Sequence, residues 1–412
     1  MSVFPVRLVD ETETEVGQTS GRFYDESEIF AVIKSGGLCR VATMTDAGEV
    51  SQWPAGPVRA TGRLRSLDQF RGYTVAAMFF VNFAGGFAAM PEVIRHHHTY
   101  CSYADTIMPQ FLFAVGFALR LVVLRNREAF GAAAALGRAW RRIGLLFLVG
   151  FVFYHLDFEW WAGGREGVPF WKPVTTATLW RETFQTLGHI AVTSLWVLPV
   201  IAGSARGRLV FGLVSVGVHA VVSAVFWYDL LHEKRVIDGG PLGFLTWTVP
   251  ALAGSFAYDF RHGRGAVGSL RPLLGWGVGL MVAGYGLSCF GVGGPVAAPP
   301  FFPPDGAIDQ WTMSQRAGSA SYLVFAAGLA MAVYAGFVWW CDVRGKAWGV
   351  FAILGANALL GYLLHEVVMR PFEALAEASD PWWWAVLVTA AFMAVTTLLV
   401  WWCNRRGWYL RL

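Results

Sequence analysis

Between residues 87 and 111 the chain reads FAAMPEVIRHHHTYCSYADTIMPQF, with three successive imidazoles, His96, His97 and His98, standing nine, eight and seven residues before the carboxyl of Asp105. An imidazole takes up and returns a proton near neutral pH because its ordinary pKa is about 6.5. A carboxylate beside it can orient the ring and stabilise its charged form, a pairing suited to general acid–base work on an amine. Asn82, on the preceding apolar segment, adds an amide N–H of the kind that steadies a developing oxyanion. The plain readings of the same residues are a solvated histidine run that binds metal adventitiously, and an Asp105 that only caps a helix.

Other polar groups stand where an apolar chain should not carry them. Asp68 and Arg71 open the segment that ends near Asn82, with Arg63 and Arg65 just before them. Farther on, GANALLGYLLHE places Tyr362 and His365 three residues apart on one helical face, with Asn357 toward one side of it. Ionisable side chains are costly inside hydrocarbon and mark candidate sites. A lone histidine such as His219 reads as a packing residue.

The elements that must position these groups are apolar helices. Of 412 residues, 55% are hydrophobic and only 15% charged, with 47 Gly and 20 Trp, a composition foreign to an ordinary soluble enzyme. Ten segments approach the roughly 20 apolar residues that a span requires: 72–90, 106–124, 142–156, 186–203, 208–228, 242–259, 271–291, 319–341, 347–367 and 384–403. Tryptophan blocks at 160–161, 339–340, 382–384 and 401–402 suit the headgroup layer. The expected fold is therefore all-α, a polytopic membrane bundle of about ten helices over 61–412. It is preceded by a short polar extension, 1–60, with an ordered stretch around EIFAVIKSGGLCRVATM.

Charge sorts the loops. Twenty Lys and Arg fall on one side and eight on the other, which places both termini in the cytoplasm and the histidine cluster outside. Long outer loops near 157–185, 229–241 and 292–318 suggest a recognition surface. The net charge of +4 is spread in twos and threes between apolar runs, so no nucleic-acid partner is expected. Five scattered cysteines read as free thiols.

RLRSLDQFRGYTVAAMFFVNFAGG resembles the opening signature of the heparan-alpha-glucosaminide N-acetyltransferase family of membrane acyltransferases. ADTIMPQFLFAVG, RAWRRIGLLFLVG, QTLGHIAVTSL, GGPLGFLTWTVPALAGSFAYDF, QRAGSASYLVFAAG and LGANALLGYLLHEVV resemble its later helices in order, so the likeness covers 61–403. The resemblance implies transfer of acetyl from cytosolic acetyl-coenzyme A to an amino sugar or glycan on the far side of the membrane, with a histidine of the first outer loop as catalytic group. That histidine is one of His96, His97 and His98; Arg95-His96 best mimics the family's basic-His step, although the usual pattern has a single His ten residues before the Asp, followed by Trp and Gly. Asp105 and Asn82 complete the catalytic set. Asp68, Arg71, Arg63, Arg65, Asn357, Tyr362 and His365 are the expected acetyl-coenzyme A residues. The resemblance also implies a homodimer, and the setting expected is a bacterial inner membrane.

Two other classes compete. A haem carrier would use His155, His189, His219 and His365, but only His219 is central in its helix, and neither haem nor metal is expected. A transporter or flippase for a lipid-linked sugar would line its path with the same polar residues. Binding of coenzyme A separates a transferase from a transporter.

Overall fold

The computed structural model describes residues 29–35, 38–44, 64–97, 99–155, 182–233, 236–291, 297–304 and 307–410. The chain divides into two compact units, Met1–Arg63 and Leu64–Leu412. In the first, β1 (Ile29–Ser35) and β2 (Leu38–Met44) pair antiparallel with Val32 opposite Val41. Runs of Ile, Val and Phe favour that pleated geometry. The ordered stretch is thus a β-hairpin, and the all-α expectation applies to the second unit.

The described residues of the second unit are helical apart from turns and loops. Its helices are α1 (Arg65–Ala84), α2 (Ile107–Phe130), α3 (Ala132–His155), α4 (Thr186–Ile201) and α5 (Ala205–Val222), the last continuing through a π turn into α6 (Tyr228–Glu233). After them come α7 (Phe244–Ser288), α8 (Ala320–Phe337), α9 (Gly349–Ala356), α10 (Ala358–Glu373) and α11 (Trp382–Arg405). Each of the ten apolar segments expected from sequence overlaps one of them. By length and apolarity, five stretches among the described residues can cross a membrane, or six if α9 and α10 form one broken span. The outer face of α5 fits such a setting, with Leu213 64% and Val221 65% exposed.

Three boundaries differ from expectation, each for a local reason. Helix α1 starts at Arg65 rather than 72 because Asp342, beyond α8, supplies a cap: its Oδ1 accepts from Ser66 N at 3.2 Å and its Oδ2 from Ser66 Oγ at 2.6 Å. Arg261 donates to the same carboxylate at 2.8 Å, tying α7 to that end. The long helix α7 is two helices meeting at Gly265, whose φ of 70° interrupts the helical backbone.

The third difference is the ninth segment. Rather than one straight span it is α9 and α10, bent by 96° at Asn357. His365, expected to close this segment, stands mid-way along α10, which runs on to Glu373.

Glycines let backbones meet. A Cβ on Gly116 would strike the Ala251 carbonyl, and one on Gly254 the Phe113 carbonyl, so α2 and α7 press together reciprocally. Gly72 and Gly355 do the same for α1 and α9, against Phe351 and Asp68 backbone oxygens. Small residues at such seams replace the hydrophobic drive that lipid cannot supply. The seams carry a core in which Phe70, Phe113, Phe117, Trp247 and Tyr334 are fully buried.

Helix α1 also sets a length scale. Arg71 and Asn82 are eleven residues apart, roughly 16 Å at 1.5 Å per residue, so the unit has an Arg71 end and a His96 end.

Candidate active site

At the His96 end, the α1–α2 connection folds back so that one of its imidazoles meets Asn82. The start of α2 is held by a reciprocal pair: Ser102 Oγ accepts from Asp105 N at 3.3 Å, while Asp105 Oδ2 accepts from Ser102 N and Ser102 Oγ, each at 2.9 Å. Tyr322 on α8 donates to the Asp105 carbonyl at 2.5 Å. Asp105 is fully buried. Its second oxygen, Oδ1, faces His96 Nδ1 at 2.9 Å. The capping role weighed for Asp105 and the catalytic one therefore use different oxygens of one carboxylate.

The other nitrogen of His96, Nε2, stands 3.4 Å from Asn82 Oδ1, and Asn82 Nδ2 is 3.3 Å from His365 Nε2. His365 Nδ1 bonds the Tyr362 carbonyl. That carbonyl only accepts, so His365 carries a proton on Nδ1, and with its Nε2 accepting from Asn82 Nδ2 the amide oxygen is turned toward His96. Glu366 Oε1 also lies 3.4 Å from His365 Nε2. The row suits a His96 that holds a proton on each nitrogen, one toward Asp105 and one toward Asn82.

The titration of His96 agrees. Burial works to lower its pKa, but the hydrogen bond and charge of Asp105 work to raise it, helped by the charge of Asp238 and the Gln315 side chain, and the result is a raise above 6.5. The ring remains 38% exposed, open to a reactant.

The three histidines part company. His97 turns away, its Nε2 2.9 Å from the Glu92 carbonyl oxygen and its ring stacked on Tyr100 at 4.2 Å. His98 lies outside the described residues, as do Arg63 and the side chain of His155.

A cleft of about 170 Å³ reaches Asn82 from the same end, lined also by Phe83, Gly86, Phe87 and Glu373. Its walls belong to the end of α1 and the turn after it, and to the end of α10 and the residues after it, Glu377 among them.

The residues expected to hold the donor are divided. Arg65, Asp68 and Arg71 lie on the first two turns of α1, at the opposite end; Arg65 donates to the Gly345 carbonyl at 3.4 Å. Tyr362 is buried and its hydroxyl bonds that of Tyr154 on α3. His365 belongs with Asn82.

Asn357, expected toward one side of the Tyr362–His365 face, stands off that helix. It sits at the bend before α10, where its Nδ2 donates to the Trp408 carbonyl at 2.8 Å and its Oδ1 accepts from Leu410 N at 3.1 Å. The amide side chain at the break thus fastens the stretch after α11 to it, while Asn404 Nδ2 donates to the Ile353 carbonyl of α9 at 2.9 Å.

Residues that sequence reasoning passed over also converge here. The loop before α7 buries Asp238, whose Oδ1 accepts from Gln315 Nε2 at 3.0 Å. The two outer loops are locked to each other, Gly239 N donating to the Arg316 carbonyl at 3.0 Å and Thr246 Oγ1 to that of Gly318 at 2.7 Å. These bonds join the described parts of two of the three outer loops; most of the third, near 157–185, lies outside the described residues. Of the other histidines, His219 is buried on α5 beside Ser223, and His189 on α4 packs against Trp247. Compared with protein-family models and with curated proteins, the chain matches none.

Proposed function

We propose that this chain is an integral membrane acyltransferase that moves acetyl from cytosolic acetyl-coenzyme A to the amine of a sugar or glycan outside, as its resemblance to heparan-alpha-glucosaminide N-acetyltransferases implies. The observation that carries the reading is the row Asp105–His96–Asn82–His365, set at the far end of α1 from Arg65 and Arg71. Ten spans, cytoplasmic termini, an outward His96 and a bacterial inner membrane belong to the same proposal, as does a homodimer.

Amine acylation needs a positioned thioester, an acceptor for the ammonium proton and a dipole for the oxyanion. Arg71 and Arg65 supply guanidinium groups suited to phosphates at one end. The tether between them and Asn82 is the length of α1, a distance that an extended thioester arm can follow. Asn82 lines the cleft, and its amide can turn there from His365 to a carbonyl oxygen. His96, once it has given up one proton, takes the next from the amine. Asp105 keeps the ring in place throughout.

The test uses membranes carrying the full chain, radiolabelled acetyl-coenzyme A and a panel of amino sugars. Labelled amide is expected with the wild type and not with His96→Gln, which should still bind coenzyme A by calorimetry. A wild type that ignores coenzyme A would remove this reading and favour a transporter.

A further inference from the structure

Glu366 is a carboxylate beside the row that the scheme above leaves idle. Its Oε1 lies 3.4 Å from His365 Nε2, the same nitrogen that meets Asn82 Nδ2 at 3.3 Å. The row therefore has two ends of one kind. Asp105 stands against His96 and Glu366 against His365, and the Asn82 amide meets both rings at their Nε2 atoms. Each Nδ1 faces an oxygen, that of His96 the Asp105 carboxylate at 2.9 Å and that of His365 the Tyr362 carbonyl. Both Nδ1 atoms thus carry protons, and only the two Nε2 atoms are left to vary.

The amide between the rings can serve only one extra proton. One of its ends donates and the other accepts, and a half-turn about Cβ–Cγ exchanges them in place. With Nδ2 toward His365, that ring accepts, and His96 keeps a proton on Nε2 for the amide oxygen. With the amide turned over, the oxygen faces His365 and Nδ2 donates to His96, whose Nε2 is then bare. The oxygen cannot face both rings, so the extra proton sits on one imidazole at a time. In the second setting His365 is a fully buried cation, which needs a counter-charge, and Glu366 supplies it. Glu366 is also the way in: its side chain is 34% exposed where that of His365 is 0%, so a proton from solvent reaches the ring through the carboxylate. One proton leaves His96 Nε2 and one arrives at His365 Nε2, and the total on the row is unchanged.

We propose that His365 and Glu366 form a second carboxylate–imidazole pair that takes over the extra proton when the Asn82 amide turns, leaving His96 neutral and able to act as a base. Glu366 is in this a positioning residue, acting on His96 through His365 and Asn82. The coupling stands on the geometry; its use in turnover rests on the acyl-transfer reading. It meets a need of that reading, since Asp105 favours the charged form of His96 while a base must shed it. Around His96 the facing groups are Asp105 and Asn82, with Asp238 and Gln315 also acting on it. Around His365 they are Asn82, Glu366 and the Tyr362 carbonyl, with Phe79 of α1 stacked on the ring at 5.4 Å. Around Glu366 they are Arg370 and Glu373 of α10 and, from α3, the Tyr154 phenol.

The experiment follows carbethoxylation of His96 by diethyl pyrocarbonate in the full chain in detergent across neutral pH, assigned to the single residue by fragment-ion mass spectrometry. The reagent attacks neutral imidazole. Simple electrostatics moves the labelling midpoint down when a nearby negative charge is removed, because the ring then sheds its proton sooner. The proposal has the opposite sign. In Glu366→Gln the proton no longer settles on His365, the Asn82 oxygen stays with His96, and the midpoint rises by roughly half a pH unit or more. His365→Leu removes the competing ring and is read in the same way should Glu366→Gln fail to fold. In an Asn82→Ala background, with no amide between the rings, the rise should vanish. A midpoint that falls or stays put overturns the proposal, and so does a rise that persists without Asn82. Acetyl transfer is assayed on the same preparations, and its pH–rate midpoint should move with the labelling midpoint. A wild type that transfers no acetyl ends the acyl-transfer reading, while the labelling curves still decide whether the two imidazoles share one proton.

Discussion

Asp105 meets His96 Nδ1 at 2.9 Å with the one carboxylate oxygen that its own helix cap leaves over. Local fold and chemistry thus share a side chain. Asp105→Asn keeps the size but replaces an acceptor by a donor, so it should cost about 1 kcal/mol of stability through the cap. Acetyl transfer should fall further, by about 10²-fold or more, because the imidazolium loses its counter-charge. Thermal unfolding and turnover on one preparation separate the two losses.

The three adjacent histidines should differ sharply in a transfer assay. His96→Gln is expected to lower turnover by about 10²–10⁴-fold. His97→Gln removes only contacts to Glu92 and Tyr100 and should leave it within about threefold. Equal losses in both would mean that the ring seen beside Asn82 is not the working one.

The raised His96 value fixes the direction of the pH response. A base works in its neutral form, so the rate should climb with pH and reach half its plateau above 6.5 rather than at it. Asp105→Asn should bring that midpoint down, since Asp105 is the main cause of the raise. The same shift contributes folding stability that is full below about 6.5 and is lost as pH rises through the folded value. A rate that falls over this range would assign His96 the role of an acid.

Asn357 and Tyr362 test the donor assignments. Tyr362→Phe keeps the backbone carbonyl that orients His365 and loses the hydroxyl bond to Tyr154. KM for acetyl-coenzyme A should stay within about twofold, with about 1 kcal/mol of stability lost. Asn357→Ala unfastens the bend from Trp408 and Leu410 and should cost about 2–3 kcal/mol, with turnover per folded molecule little changed. A large rise in KM for either variant would restore a donor-binding role.

Much of this arrangement was legible as sequence. Apolar runs located the helices, and the rarity of polar groups within them singled out Asn82, His96, Asp105 and His365. Periodicity failed where tertiary contact decides the local conformation. Asn357 shares a stripe with Tyr362 and His365 only on an unbroken helix, and the 96° bend removes that premise. The start of α1 depends on Asp342, 276 positions beyond Ser66, which no local cap signal announces. Asp238 was invisible for a related reason: in VIDGGPLG it looks like an acid in an ordinary turn, and only pairing with the segment around Gln315 buries it.

The reciprocal glycine contacts between α2 and α7 limit how the molecule can breathe. With carbonyls pressed on Cα atoms in both directions at Gly116 and Gly254, neither helix can slide past or lean away from the other without parting backbone from backbone. They behave as one stiff wall, so any opening of the bundle falls to its other seams.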